Sequence, residues 1–120
     1  MLVEDDLDAS LMLTRILSDA GYSVNSLNDG TSLVEQKFSP PDMFILDNFM
    51  PTIHGVALCK YLKLQPNTKS IPIIIISANQ QLKIKAREAG ATIFLGKPFH
   101  TEQLLKLVDE IFSNQSIVQD

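Results

Sequence analysis

The 120-residue sequence has one cysteine, Cys59, no tryptophan, and no apolar run longer than the "IPIIIISA" of residues 71–78. A single cysteine excludes an intramolecular disulfide and a cysteine-built zinc cluster. The apolar run is far too short for the ~20 residues that cross a bilayer as a helix. A surplus of basic residues is also missing. Ten Lys and Arg stand against fourteen Asp and Glu, a net charge of −4, which argues against direct binding to nucleic acid, because phosphate recognition needs a basic face. The first residues, "MLVEDDLD", put acids at positions 4 to 6, where a signal peptide needs a basic start and an apolar stretch. There is no internal repeat and no low-complexity segment. What remains is an ordinary globular composition, 45% hydrophobic and 20% charged, with the length of one domain and enough surface to bury in a stable core. The expected setting is the cytoplasm, with no membrane partner.

Apolar runs alternate with helical spacing along the chain. "MLV" is a short strand that breaks off at "EDD". Leu7, Leu11, Leu13, Ile16, Leu17 and Ala20 recur at helical intervals, and Gly21 suits the helix end. "YSVNSL" alternates as a half-buried strand, and a short helix is expected over Thr31 to Phe38, stopped by "SPPD". "MFIL" is a strand that ends on Asp47, and a helix follows from about Val56 to Leu64. The four consecutive isoleucines of "IPIIIIS" do not alternate with polar residues, so that strand is buried on both faces, as in the middle of a parallel sheet. A helix over Gln80 to Ala89, the strand "TIFLG", and a last helix from a Thr101 cap through Phe112 complete the pattern. The reading is βαβαβαβαβα, an α/β doubly wound parallel sheet with helices on both faces. Residues 1–112 form the domain, and 113–120 a tail or linker. Met12, Met43 and Cys59 are expected in the core.

A doubly wound sheet binds its ligands at the carboxyl ends of its strands. Glu4, Asp5 and Asp6 follow the first strand, Asp47 ends the third, Ser77 the fourth, and Lys97 and Pro98 the fifth. Taken singly, these are ordinary residues: Asp6 or Asp8 caps the first helix, a serine fills a turn, a lysine is solvated. Together they are unusual, because one cap is needed and "EDD" supplies three acids. Two carboxylates ~4 Å apart repel by roughly 4 kcal/mol at an effective dielectric of ~20. A hard divalent cation such as Mg²⁺ removes that conflict and leaves room for phosphate oxygens. A carboxylate nucleophile, a metal, an ammonium and a hydroxyl make a phosphoryl-transfer site. His54 and His100 form no comparable constellation.

"VEDD", "LDNFMPTIHG", "IPIIIISA", "EAGA" and "FLGKPF" occur in one order, each after its own strand. Over essentially its whole length the chain resembles the receiver domain of bacterial two-component response regulators. The resemblance implies a flavodoxin-like (βα)5 fold with strand order 2-1-3-4-5. It implies that Asp47 is the phosphoacceptor and that Glu4 and Asp5 hold Mg²⁺ with Asp47 and the backbone carbonyl of Phe49. Ser77 would be the switch hydroxyl, Phe94 the switch aromatic, and Lys97 the partner of the phosphoryl oxygens. Pro98 would follow Lys97 through a cis peptide bond, Met50 and Pro51 would shape the loop after Asp47, and Gly55 a turn before the third helix. The implied partners are a histidine kinase or phosphotransfer protein and a downstream effector, and a phosphorylation-dependent dimer is compatible with the family. The resemblance implies a domain that assists its own phosphorylation and dephosphorylation only and is otherwise not an enzyme.

The match has departures. The first strand is short for the family, and the segment from Ser77 to Lys97 lacks about two residues. Phe49, two places past the acceptor, is bulky and apolar, and is expected to slow hydrolysis of a phosphoaspartate. The alternatives are a haloacid-dehalogenase-like phosphatase, which would need a second acid where Phe49 stands, and a receiver-like domain that is not phosphorylated. A flavin-binding module is a poor fit, because "EDDLD" carries the wrong charge for a phosphate cradle.

Overall fold

The computed structural model describes residues 1–35, 38–47 and 54–119. Its order is β1 (Leu2–Val3), α1 (Leu7–Asp19), β2 (Ser26–Leu27), α2 (Thr31–Val34), β3 (Phe44–Asp47), α3 (Gly55–Leu64), β4 (Ile73–Ser77), a 3₁₀ turn (Gln80–Leu82), α4 (Lys83–Glu88), β5 (Ile93–Gly96) and α5 (Thr101–Gln119). The five strands form one sheet, β2-β1-β3-β4-β5, with every pairing parallel.

The isoleucine run explains how the sheet is held. Successive side chains of a strand point to opposite faces. Ile74 and Ile76 pack with Leu2, Ile45, Leu95, Leu104 and Val108 on the α1/α5 side. Ile73 and Ile75 pack with Val3, Phe44, Leu46, Leu58, Leu62 and Ala86 on the α2/α3/α4 side. All four isoleucines are 2% exposed or less, so a strand without polar alternation is what a sheet covered on both faces requires.

Helix α1 starts where the carboxylate of Asp6 accepts the amide of Asp8 at 3.3 Å. It ends at Gly21, whose φ of +100° lets Tyr22 N–H reach back to the Leu17 carbonyl. The buried stripe of α1 is Ser10, Leu13 and Leu17. Leu7, Leu11 and Met12 are 70%, 60% and 55% exposed, so Met12 is not a core residue, whereas Met43 is buried. Helical spacing places Leu7 and Leu11 on one flank of the stripe and Met12 on the other.

Several elements differ from their expected bounds. β2 is confined to Ser26–Leu27 because its partner β1 has only two residues to offer. α2 is described to Val34; Phe38 beyond it packs edge-to-face on Phe44. The expected fourth helix divides into the 3₁₀ turn and α4, with Asn79 Oδ1 accepting the amide of Gln81 at 3.0 Å. Thr101 is the first residue of α5, and the carbonyl of His100 before it accepts the amides of Gln103 and Leu104. That helix continues past Phe112 to Gln119, since no glycine or proline interrupts it. Gly55 is likewise the first residue of α3, not part of a turn, with His54 at the cap position.

Candidate functional site

Five polar or charged side chains are buried among the described residues: Glu4, Ser10, Asp47, Thr68 and Ser77. Three of the five sit at the carboxyl ends of the central strands β1, β3 and β4. The sheet register holds them together. Glu4 N–H donates to the Leu27 carbonyl (2.9 Å), which carries the chain straight on from β1, and Val3 pairs with Leu46, one residue short of Asp47. Asp47 pairs with Ile76, next to Ser77, and Ser77 pairs with Gly96, next to Lys97.

Glu4, Asp5 and Asp47 each bring one carboxylate oxygen within 4.8 Å of the others. Glu4 is 3% exposed and Asp47 8%, whereas Asp5 faces solvent. Glu4 Oε2 and Asp47 Oδ1 are buried with no hydrogen-bond partner. Lys97 Nζ lies 3.5 Å from Asp47 Oδ1, an ion pair that does not meet hydrogen-bond geometry. Buried oxygens left in this state are costly unless something else satisfies them. The Glu4 carboxyl shows the strain: burial first, and then the neighbouring Asp47 carboxylate, push its pKa from 4.5 up to about 8, with Lys97 acting in the opposite direction. At neutral pH and without a cation, Glu4 therefore holds a proton. Three hard oxygen donors, two of them orphaned, fit a small divalent cation that keeps water in its remaining positions.

Around this crevice Ser77 is fully buried, and its Oγ accepts the amide of Asn79 at 3.1 Å. Its carbonyl accepts the Lys97 amide at 3.0 Å, which ties the ends of β4 and β5 together. The Lys97–Pro98 peptide bond is cis. Phe94 is half-buried on β5 and packs against the α2/α3/α4 core. Phe49, Met50 and Pro51 lie outside the described residues. Cys59 is fully buried, its Sγ 3.5 Å from the Ala89 carbonyl, and burial pushes its thiol up to about 11, so it is an inert core group.

Residues 1–109 match the family described as response regulator receiver domain. The chain belongs to that family. As a receiver domain it is 30% identical over 118 residues to the response regulator ArlR of Staphylococcus epidermidis, covering 96% of this chain and 52% of ArlR. It thus spans about half the length of that relative. Among solved structures it is similar to a response regulator of Chloroflexus aurantiacus, with a TM-score of 0.84 and 35% identity over 93% of this chain and 95% of the other. It is also similar to the receiver domain of the sensor histidine kinase PA1611 of Pseudomonas aeruginosa, solved with a magnesium ion in its active-site cleft (TM-score 0.82, 27% identity, 91% and 92% covered).

The receiver contains two features that motif reading did not find. The backbone amide of Asn79 occupies the Ser77 hydroxyl. The side-chain amide of Gln80 lies where a Cβ on Gly96 would be, so the glycine immediately before Lys97 gives that exposed, flexible side chain its resting place. Both depend on how the β4–α4 segment folds back onto β5, which no local sequence signal carries.

Proposed function

We propose that Asp47 of this receiver accepts a phosphoryl group from a phosphohistidine on a kinase or phosphotransfer protein, at a site where Glu4, Asp5 and Asp47 hold Mg²⁺. The observation that carries the reading is the convergence of three carboxylates within 4.8 Å, two with buried oxygens that lack a hydrogen bond, beside an ammonium 3.5 Å from Asp47 Oδ1. A carboxylate oxygen of Asp47 forms the new P–O bond as the P–N bond breaks, and the imidazole nitrogen leaves with the bonding pair. Lys97 supplies positive charge to the phosphoryl oxygens and fixes the direction of the acceptor. Bound Mg²⁺ would neutralise the carboxylates and the transferred oxygens. The magnesium in the Pseudomonas receiver supports this choice of ion.

Ser77 then turns toward the phosphoryl group. Its Oγ accepts the Asn79 amide, which leaves its O–H to donate to a phosphoryl oxygen; the swing loosens the start of the β4–α4 segment, and Phe94 moves into the space vacated. The surface of α4, β5 and α5 changes its preference for an effector or a second copy, as a shift between two populated states. Residues 1–112 are taken as the receiver and 113–120 as a tail or linker that starts within α5, in a cytoplasmic signalling protein. The test is incubation with acetyl phosphate and Mg²⁺ followed by intact-mass measurement. One phosphoryl adduct, absent in Asp47→Asn and without EDTA-resistant labelling, is the expected result. Rapid turnover of acetyl phosphate without an adduct would favour a phosphatase instead, and no reaction at all a receiver that is not phosphorylated.

A further inference from the structure

Charge is distributed unevenly along this chain. The forty residues from Asn48 to Arg87 contain no Asp or Glu and six Lys or Arg, whereas all fourteen acids and only four bases lie elsewhere. The fold converts this into a difference between two sides. α3 and α4 cover the same sheet face, with Leu58, Leu62 and Ala86 in one core. They also pack on each other: Cys59 lies against the Ala89 carbonyl, and the stem of Lys63 against Gly90. Their outward residues therefore face one side of the molecule. Lys60, Lys83, Lys85 and Arg87 are exposed there, with Lys69 in the turn after α3 and Glu88 as the one acid of the two helices, and among the described residues no ion pair neutralises the cations. Lys63 is set apart, since its Nζ donates to the Ile71 carbonyl at 2.6 Å. The opposite side, formed by α1 and α5, exposes Asp8, Asp19, Glu102, Asp109 and Glu110.

Two large apolar side chains stand among the cations. Leu64 is 72% exposed, one helical turn from Lys60, and Ile84 is 70% exposed, next to Lys85. We propose that the outer surface of α3 and α4, around Lys60, Leu64, Ile84 and Lys85, docks an acidic segment of a partner protein that carries apolar anchors. Complementary charge selects an acidic occupant and steers it to the site. The exposed Leu and Ile favour protein over nucleic acid, because a phosphate backbone gains nothing from them. A second copy is disfavoured: acid-to-base contact between opposite sides would be head-to-tail, and so could not form the two-fold dimer that is the commonest assembly. The surface is separate from the carboxylate crevice, so it does not rest on the phosphoacceptor assignment.

The test uses the ¹⁵N-labelled chain and a ~15-residue peptide, long enough for an anchored segment, built of repeated Glu-Glu-Leu. Peptides with Gln for Glu or Ser for Leu serve as controls, together with an oligouridylate of the same length. Amide shifts concentrated on α3 and α4 are expected, with both control peptides binding more weakly. Lys60→Glu/Lys85→Glu should weaken binding about tenfold or more, and Leu64→Ser/Ile84→Ser about fivefold. All four positions are exposed, and unchanged unfolding midpoints will show that the fold is kept. The proposal is overturned if either double variant binds as wild type, if the shifts fall elsewhere, if the oligouridylate binds more tightly, or if the same shifts arise from protein concentration alone.

Discussion

Glu4→Gln keeps the shape of a buried side chain and removes its ability to ionise. In the metal-free fold the Glu4 pKa is about 8 instead of 4.5. Between those values the native state holds a proton that the unfolded chain has released, so stability falls as pH rises from about 4.5 and levels off above about 8. At ~1.4 kcal/mol per pKa unit the full effect is roughly 5 kcal/mol. Glu4 is 3% exposed, but it lies beside the solvent-facing Asp5 at the crevice mouth. Water, salt and side-chain relaxation will screen the charge there, and about 2 kcal/mol is the realistic magnitude. Glutamine avoids the cost. Only the upper part of the window from 4.5 to about 8 lies above pH 6, so in EDTA urea unfolding should show Glu4→Gln gaining about 1 kcal/mol more over wild type at about pH 8.5 than at about pH 6. An equal gain at both pH values, or a larger one at pH 6, would refute the account of Glu4 as a strained acid waiting for a cation.

Three further outcomes can be measured, the last of them expected from the sequence alone. Mg²⁺ should stabilise the wild-type chain by ~1.4 kcal/mol at ten times its dissociation constant. By thermal melts the effect should be larger at pH 8 than at pH 6, where protons compete for Glu4, and Asp5→Asn and Asp47→Asn should lose it. Gly90→Ala should cost about 2 kcal/mol in urea unfolding and Gly21→Ala about 1. Both sit at φ +100°, but a Cβ on Gly90 would lie 2.7 Å from Lys63 Cγ and displace a side chain bonded to the Ile71 carbonyl, whereas Gly21 faces open space. Phe49→Asn should shorten the half-life of phosphorylated Asp47, read by intact mass over time, because an amide can orient the attacking water that a phenyl ring excludes; an unchanged or longer half-life would contradict it.

The layout of the sheet was legible because its signal is local. Four isoleucines in succession can only mean a strand covered on both faces, and the acids, hydroxyl and ammonium mark strand ends without reference to anything distant. Element lengths were less legible, since they depend on partners: β2 alternates from Tyr22 to Leu27, yet its ladder stops where β1 runs out of residues. Helical spacing identified α1 but not which of its apolar residues would be covered, so Met12, Leu7 and Leu11 are exposed beside a buried stripe of Ser10, Leu13 and Leu17. Within the site, the residue types were readable and their states were not. The proton on Glu4 follows first from its burial and then from the approach of Asp47 that the β1–β3 register creates. The Ser77–Asn79 bond and the packing of Gln80 on Gly96 are likewise products of a chain reversal.

The two residues of β1 are each used on a different side of the sheet. Leu2 is 1% exposed in the α1/α5 core and Val3 is fully buried in the α2/α3/α4 core. Burial of each contributes roughly 2 kcal/mol, and the ladder adds bonds to both neighbours, Leu2 N–H to the Asn25 carbonyl at 2.8 Å and Ile45 N–H to the Met1 carbonyl at 2.8 Å. The amide of Glu4 makes the last of these bonds, to the Leu27 carbonyl. The acid is thus fastened by its own backbone at the point where the strand ends, and its side chain has little freedom to escape Asp47. A longer β1 would add stability without altering that geometry. What the crevice requires is the final bond of the ladder, which holds a carboxyl in place against its own preference for water.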